Sequence, residues 1–301
     1  KVTLQIRNFE FSEINFGRSQ YIPSAIFALT PLPFIHSFND IGIANRLLLS
    51  LLIIFLVKKK TPHLFIYYII LSPTLLLYSS TALKETVVLI FTIMIFYTIL
   101  KKKYLSFFFP YIFLLAFKKQ NGLILLPLYF FHLIYFNLNF KFNRFFIIII
   151  FSIFIFLVFF FDDFILNSIN YYRFNFFLED SGVNFQGFTS IGNLMTQIPY
   201  DFLKFLLSPF PALNSPVKIL IFFDNILVIS LLIIYFTKLF KIDRKQFLYW
   251  LISFSLFLSM YSLTLFNHGT ISRYKISFII PILFIIIYLV KILKKSKNSE
   301  Y

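Results

Sequence analysis

The chain has 301 residues, 59% of them hydrophobic, and a formal net charge of +16 at pH 7, a balance that favours a membrane protein over a water-soluble domain. Cysteine is absent, which excludes disulfides and thiolate-held metals, and the four histidines (His36, His63, His132 and His268) show no metal-ligand spacing. No glycine-rich nucleotide loop is present, so the sequence predicts no metal, no cofactor and no ATP-driven pump.

Nine apolar stretches are each compatible with a helix that crosses about 30 Å of hydrocarbon, which takes roughly 17 to 25 residues. In chain order they are residues 41–57, 64–80, 83–100, 104–117, 122–138, 145–161, 219–236, 247–266 and 276–293. The fourth is short and needs its flanking lysines to extend towards the interface. None shows the two-residue alternation of barrel strands. The sequence therefore predicts an all-α, polytopic membrane protein with about nine transmembrane helices.

The lysines between these stretches are sorted onto alternate loops, which predicts an orientation in the membrane. With residues 58–60 in the cytoplasm, that side collects 14 of 21 lysines and 16 of 28 cations, but only Asp243 and Glu300 among the acids. The C-terminus is then inside and the loops with most acids are outside. The net charge is explained by this sorting, so we predict no nucleic-acid partner.

The domain organisation follows from this topology. We expect one transmembrane domain over residues 1–301, with an outer N-terminal segment 1–40 and a long outer loop 162–218. The chain begins at Lys1 instead of methionine, so we expect that one more membrane helix or a signal sequence precedes it. Near residues 198–213 the long loop mixes charged and apolar side chains before prolines, which predicts an interfacial helix on the outer leaflet.

Charged side chains at the outer ends of the segments are candidate functional residues. Arg46 lies in the first segment, Lys84 and Glu85 open the third, and Asp224 lies in the seventh. Ionisable groups at such positions tend to face the interior of a helical bundle and to mark functional sites. They either share one polar cavity or form unconnected structural pairs, and their common level at the outer layer favours the cavity.

Arginine is distributed unlike lysine, because five of the seven arginines are outside: Arg7, Arg18, Arg46, Arg173 and Arg273. The guanidinium group binds carboxylate or phosphate with two parallel hydrogen bonds and stays charged. An outer arginine set on a membrane protein suits a lipid-linked phosphate or pyrophosphate. Arg173 in the long loop is one candidate for that role.

The outer loop 267–275 has the highest density of titratable and hydrogen-bonding side chains in the sequence. It offers the titratable His268, the guanidinium of Arg273, and Tyr274 and Lys275 next to it. The simpler interpretation is a turn with an interfacial tyrosine and anchoring cations. The combination of an imidazole, hydroxyls and a guanidinium before the last segment favours a functional role.

Three short patches give a family resemblance. They are SSTALKE at residues 79–85, SPFP at 208–211 before an acid-bearing segment, and NHGTISRY at 267–274. Together they resemble the bacterial surface-polysaccharide membrane proteins, the Wzy-type repeat-unit polymerases of O-antigen and capsule, which are similar in fold to the GT-C glycosyltransferases. The resemblance implies a multi-pass protein of the bacterial cytoplasmic (inner) membrane that polymerises undecaprenyl-pyrophosphate-linked oligosaccharides at its outer face. A chain-length regulator is a possible partner.

That chemistry assigns expected roles to the outer residues. Pyrophosphate as leaving group needs cations where negative charge develops, which Arg273, Arg46, Lys84 and Arg173 are expected to supply. The substrate-binding set also includes Lys275 and Tyr274. The attacking sugar hydroxyl needs a base, and the candidates are His268, Glu85 and Asp224.

Three other functions fit parts of the sequence. A GT-C glycosyltransferase that uses a polyprenyl-phosphate sugar would carry acids in its first outer loop, where Glu10 and Glu13 lie. An O-antigen ligase would share the outer arginines and the long loop. A lipid-linked oligosaccharide flippase is less compatible, because transporters generally show repeated halves and polar groups at the bilayer midplane.

Overall fold

A computed structural model describes residues 24–25, 28, 38–80, 84–103, 105–137, 160–177, 187–210, 215–264 and 268–298. Every regular element in these ranges is a helix. We number the twelve helices in chain order: α1 Phe38–Lys58, α2 His63–Leu71, α3 Pro73–Ser79, α4 Glu85–Leu100, α5 Leu105–Phe117, α6 Lys119–Asn137, α7 Asp162–Phe177, α8 Ile191–Leu207, α9 Pro216–Ile242, α10 Arg244–Thr264, α11 His268–Ile276 and α12 Ile279–Asn298.

The predicted all-helical membrane architecture is confirmed in its coarse form. Within the described residues, four stretches are long and apolar enough to cross a membrane, at Asp40–Lys58, Pro216–Ile242, Arg244–Leu263 and Ile271–Lys295. Shorter apolar helical stretches are Glu85–Leu100, Leu105–Phe117 and Asn121–Leu133, and the predicted segment 145–161 lies almost entirely outside the described residues. The count of nine spans and the GT-C-like fold stay predictions.

Two predicted elements differ in detail from the structure. The segment 64–80 is divided into α2 and α3, because Pro73 cannot donate to the helix and Ser72 ends α2 in an extended conformation and caps α3 through its hydroxyl. The helix expected near residues 198–213 corresponds to α8, which begins earlier, at Ile191, and ends at Leu207 before Pro209, and its location at the membrane interface stays a prediction. Its first turn is capped by the Ser190 hydroxyl, which accepts a hydrogen bond from the Asn193 backbone N–H at 3.1 Å.

The chain divides into two compact units, and we describe each by itself. Unit 1 comprises residues 1–126, 226–251 and 273–301. Its centre is the pair α4 and α12: α4 packs against α1, α3, α5 and α12. Every residue from 277 to 290 is buried, and the Phe284 ring of α12 contacts the Phe65 ring of α2 at a centroid distance of 5.3 Å.

The two ends of unit 1 differ in charge. At one end, the Lys291 Nζ donates to the Lys60 carbonyl, and the Lys101 Nζ lies 5.8 Å from the ring centroid of Tyr288. At the other end lie the first turn of α4, with Glu85, and the last turn of α11, with Arg273. The structure thus gathers three lysine-rich loops at one end of the unit and the Glu85–Arg273 pair at the other, as the alternation of loops requires. The compartment that each end faces stays a prediction.

Unit 2 comprises residues 127–225 and 252–272. One apolar cluster in this unit packs Leu166 of α7 against Phe188 and against Leu194 of α8. The Asn170 side chain fixes the segment before α8, because it donates to the Phe188 carbonyl at 2.9 Å and accepts from the Phe188 N–H at 2.8 Å. Much of the long loop 162–218 is therefore helical and packed, through α7 and α8.

Gly42 of α1 allows a close approach that gives a first testable prediction. A Cβ atom at this position would overlap the Ser80 carbonyl group and lie 2.8 Å from its carbon. Backbone atoms at the end of α3 cannot rotate away, so we expect Gly42→Ala to destabilise the protein by about 1–3 kcal/mol. The measurement is thermal unfolding in detergent, followed by circular dichroism.

Gly192 in α8 provides the matched control. Its Cβ would meet only the Ser190 Oγ, at 3.8 Å, so Gly192→Ala should leave the melting temperature unchanged or raise it slightly. Equal melting temperatures for the two variants would contradict the packing of α1 against the end of α3.

Candidate functional site

An ion pair in unit 1 forms the centre of the candidate site. The Arg273 Nε lies 3.3 Å from the Glu85 Oε1, and 29% of the arginine side chain is exposed against 2% of the glutamate side chain. Glu85 is in the first turn of α4, where the positive end of the helix dipole favours a carboxylate. The partly exposed arginine therefore covers a buried carboxylate that is stabilised by the helix that begins there.

Lys118 is a buried cation beside this pair. It stands between α5 and α6 with 5% of its surface exposed. Its Nζ donates to the Ser277 Oγ at 3.0 Å and lies 3.4 Å from the ring centroid of Tyr274. Burial lowers the pKa of Lys118 well below its usual value, the Glu85 carboxylate opposes that effect, and the charges of Lys84 and Arg273 add to it.

The cage around Lys118 is built from the turn between α11 and α12. The Ser277 hydroxyl donates to the Tyr274 carbonyl at 2.9 Å, and the Asn121 side chain donates to the Ser277 carbonyl at 3.4 Å. The Arg273 guanidinium lies 5.3 Å from the same Tyr274 ring. One tyrosine ring therefore lies near both basic side chains.

Lys84 completes the group of charges. It immediately precedes α4, and burial lowers its pKa, while the Glu85 carboxylate raises it and the Arg273 charge lowers it further. Among the described residues, three basic side chains thus interact electrostatically with the Glu85 carboxylate: Arg273, which forms the ion pair, and Lys84 and Lys118. Partly or fully buried cations in excess over their acids are stabilised by an anion, and phosphate suits such a site. We call these four residues the Glu85 cluster.

The other residues predicted for this region have different settings. Lys275 is 4% exposed and Tyr274 is 8% exposed, so both are buried. Arg46 is exposed on α1. His268 begins α11, a short helix where the sequence indicated a loop, and the side chain of His268 lies outside the described residues. The role of His268 as a base stays a prediction.

A second charged group lies in unit 2. The Arg173 Nη1 is 3.5 Å from the Asp201 Oδ2 and donates to the Leu263 carbonyl at 3.4 Å, and the guanidinium lies 4.3 Å from the Phe188 ring centroid. Burial raises the pKa of Asp201, and the charges of Arg173 and Lys204 lower it. Arg173 therefore joins α7 to α8, and its predicted contact with substrate stays a prediction.

Asp224, the remaining predicted residue, is buried in the part of α9 that belongs to unit 2, with 5% of its surface exposed. The next residue, Asn225, donates a short hydrogen bond from its side chain to the Ser208 carbonyl. The end of α8 is thereby attached to α9 beside Asp224. The catalytic role assigned to Asp224 stays a prediction.

Sequence reasoning missed Lys118, Asn121, Ser277 and Asp201. Lys118 was interpreted as a flanking cation whose side chain extends to the interface, because Lys119 beside it has the same chemistry. In the structure Lys118 is 5% exposed and Lys119 is exposed. A weak signal was the clustering of outer segments 79–85, 118–121 and 267–275 at one predicted level, which brings Lys118 within reach of Glu85.

Comparisons of the sequence and structure with protein-family models, curated proteins and solved structures found no significant match.

Proposed function

We propose that the chain polymerises oligosaccharide repeat units carried on undecaprenyl pyrophosphate, at the outer face of a bacterial cytoplasmic membrane. The observation that carries the proposal is the Glu85 cluster, in which the Arg273–Glu85 ion pair lies with the basic side chains of Lys84 and Lys118 at the end of unit 1 opposite the lysine-rich loops. A reaction with an anionic leaving group and a hydroxyl nucleophile needs both kinds of side chain.

The reaction is a glycosyl transfer between two lipid-linked glycans. A sugar hydroxyl of the acceptor attacks the anomeric carbon of the donor glycan, a new C–O bond forms, and the bond from that carbon to the pyrophosphate oxygen breaks. The hydroxyl proton passes to a base, and the lipid pyrophosphate leaves with the electron pair. Cleavage of the pyrophosphate linkage supplies the driving force, so the reaction needs no nucleotide.

The cluster offers a residue for each of these tasks. Arg273 keeps part of its side chain exposed and is available for the pyrophosphate, with Lys84 and Lys118 behind it. The Oε2 atom of Glu85 is buried and has no hydrogen-bond partner among the described residues, so it can accept the proton. Because Glu85 lies beneath Arg273, the acceptor hydroxyl reaches it when the guanidinium moves towards the pyrophosphate.

The depth of the cluster favours transfer over transport. Glu85 and Lys84 stand at the start of α4, and Arg273 and Lys118 stand at helix ends. A transporter is expected to hold its substrate near the bilayer midplane. Charges at one end of the helices are instead placed to bind a lipid head group at the membrane surface.

The test is a gel of surface and lipid-linked glycans from cells with and without the intact gene. We expect deletion to convert a ladder of polymer into single-repeat glycans. A glycan of normal length that lacks one sugar would mean a single-sugar transferase. Single repeats or intact polymer that stay on the carrier lipid would mean a ligase, and single repeats retained at the cytoplasmic face would mean a flippase. Unchanged glycans would reject the polysaccharide role.

A further inference from the structure

The polarity of the exposed side chains of α8 changes along the helix. In the first half the exposed side chains are those of Asn193 and Thr196, which are polar, and Met195, which is apolar and 50% exposed. From residue 199 onwards the residues of the fully exposed face are Pro199, Tyr200, Leu203 and Leu207, and none of them is charged. Leu203 is 59% exposed and Leu207 is 40% exposed. A row of exposed apolar side chains at intervals of four residues forms one face of a helix.

The C-terminal end of α8 is attached to α9 at residues that lie beyond the first turn of α9. The Asn225 side chain donates to the Ser208 carbonyl, and the Phe210 ring stacks on the Phe222 ring with a centroid distance of 5.7 Å. Since α9 rises about 1.5 Å per residue, Phe222 and Asn225 lie about 5 to 9 Å inside the apolar stretch that begins at residue 219. The C-terminal end of α8 is therefore held at that depth.

The exposed side chains at the start of α9 indicate which medium covers the apolar face of α8. The first turns of α9, in the same unit, expose Val217, Leu220 and Phe223 by 48%, 54% and 63%. The helix is long and apolar enough to cross a membrane, so lipid is the medium that covers these side chains. Phe210, which is 48% exposed, lies between Leu207 and α9 in the chain.

We infer that α8 is inserted obliquely into the bilayer, with its C-terminal half in the acyl-chain boundary and its N-terminal turn in water. The depth of the attachment to α9 agrees with the depth that is usual for interfacial helices. The attachment to α9 gives about 5 to 9 Å, and amphipathic helices that lie in the interface bury their apolar face by a similar amount, about 5–10 Å. The surface it fits is a lipid bilayer, and the inference does not depend on the proposed enzymatic function.

The oblique insertion also places the charged face of α8 at head-group level. Asp201 is 8% exposed and Lys204 is partly buried on the side of α8 turned towards the unit. The apolar stripe and the charged residues thus occupy different sides of one helix. This arrangement is the one expected of a helix that separates lipid from a polar region.

The absence of cysteine makes a direct test possible. Single-cysteine variants of the full chain at Thr196, Leu203 and Leu207 are labelled with a nitroxide and reconstituted into vesicles of phosphatidylcholine and phosphatidylglycerol. Spin relaxation by oxygen, which concentrates in lipid, is compared with relaxation by a water-soluble nickel chelate. We expect oxygen to dominate at Leu203 and Leu207 and nickel to dominate at Thr196.

The variant Phe205→Cys is the reference for a buried position, because Phe205 is fully buried against the unit. All substituted residues except this reference are exposed, so the labels are not expected to disturb folding. Nickel-dominated relaxation at Leu203 and Leu207 would place the face in water and overturn the inference. Protection from both reagents, as at Phe205, would mean a protein partner and would overturn it as well.

Discussion

Alanine in place of Arg273 is expected to reduce polymer synthesis about 100- to 1,000-fold, because one fixed donor to a developing negative charge contributes about that much to catalysis. The guanidinium is partly exposed beside the buried Glu85 carboxylate, so under the proposed function its loss removes both the group that binds the pyrophosphate and the partner of the base. Arg273→Lys should restore part of the activity, since a point charge replaces the planar fork. The measurement is the polymer ladder, normalised to the protein level in membranes.

Arg244→Ala is the matched control for this experiment. Arg244 is exposed at the start of α10, where its guanidinium lies 5.2 Å from the Phe240 ring centroid. Its loss should leave the ladder unchanged. Full polymer length in cells with normal amounts of the Arg273→Ala protein would reject the catalytic role of Arg273 and weaken the proposed function as a whole.

The second large effect is expected at Lys118, where activity and stability should separate. Methionine has a similar length without the charge, and replacing a buried charge by a well-packed apolar group is often neutral or stabilising. Lys118→Met should therefore keep or raise the melting temperature while polymer synthesis falls about a hundredfold, because a cation of the anion site is lost. Both quantities are measured on the same detergent-solubilised variants and the cells that produce them.

The neighbouring lysine supplies the control for Lys118. Lys119 begins α6 and is exposed, so Lys119→Met should change neither the melting temperature nor the ladder. A Lys118→Met protein that synthesises normal polymer would exclude Lys118 from the site. A large drop in melting temperature would show instead that the lysine has a structural role in the cage of Tyr274 and Ser277.

Sequence alone predicted some of these residues and missed others for a definable reason. Glu85 was recognisable because it is an acid within the first residues of an apolar segment, and Arg273 because it lies with His268 and Tyr274 in the outer loop 267–275. Lys118 and Lys119 have the same side chain and the same apolar neighbours, so no local property separates them. The hydrogen bond that fixes Lys118 joins it to Ser277, 159 residues further along the chain.

The helices show the same difference between properties that the local sequence predicts and properties that depend on the folded structure. The helix α1 was predicted to within a few residues, because hydrophobic length is a local property of the chain. The division of the second segment at Ser72 and Pro73 was missed although the proline is visible, since proline is tolerated in some membrane helices. The helix α8 was foreseen as an interfacial element but placed too late, because its start is set by the Ser190 cap and by packing on Phe188.

The sequence by itself determined that the chain is helical and apolar enough for a membrane, and that its lysines are sorted onto alternate loops. Those properties depend only on side-chain hydropathy and charge along consecutive residues. The tertiary structure alone decided which of the remaining charges meet. It brought Glu85, Lys118 and Arg273 together from three separate turns, because the packing of α4 against α5 and α12 places those turns at one end of unit 1.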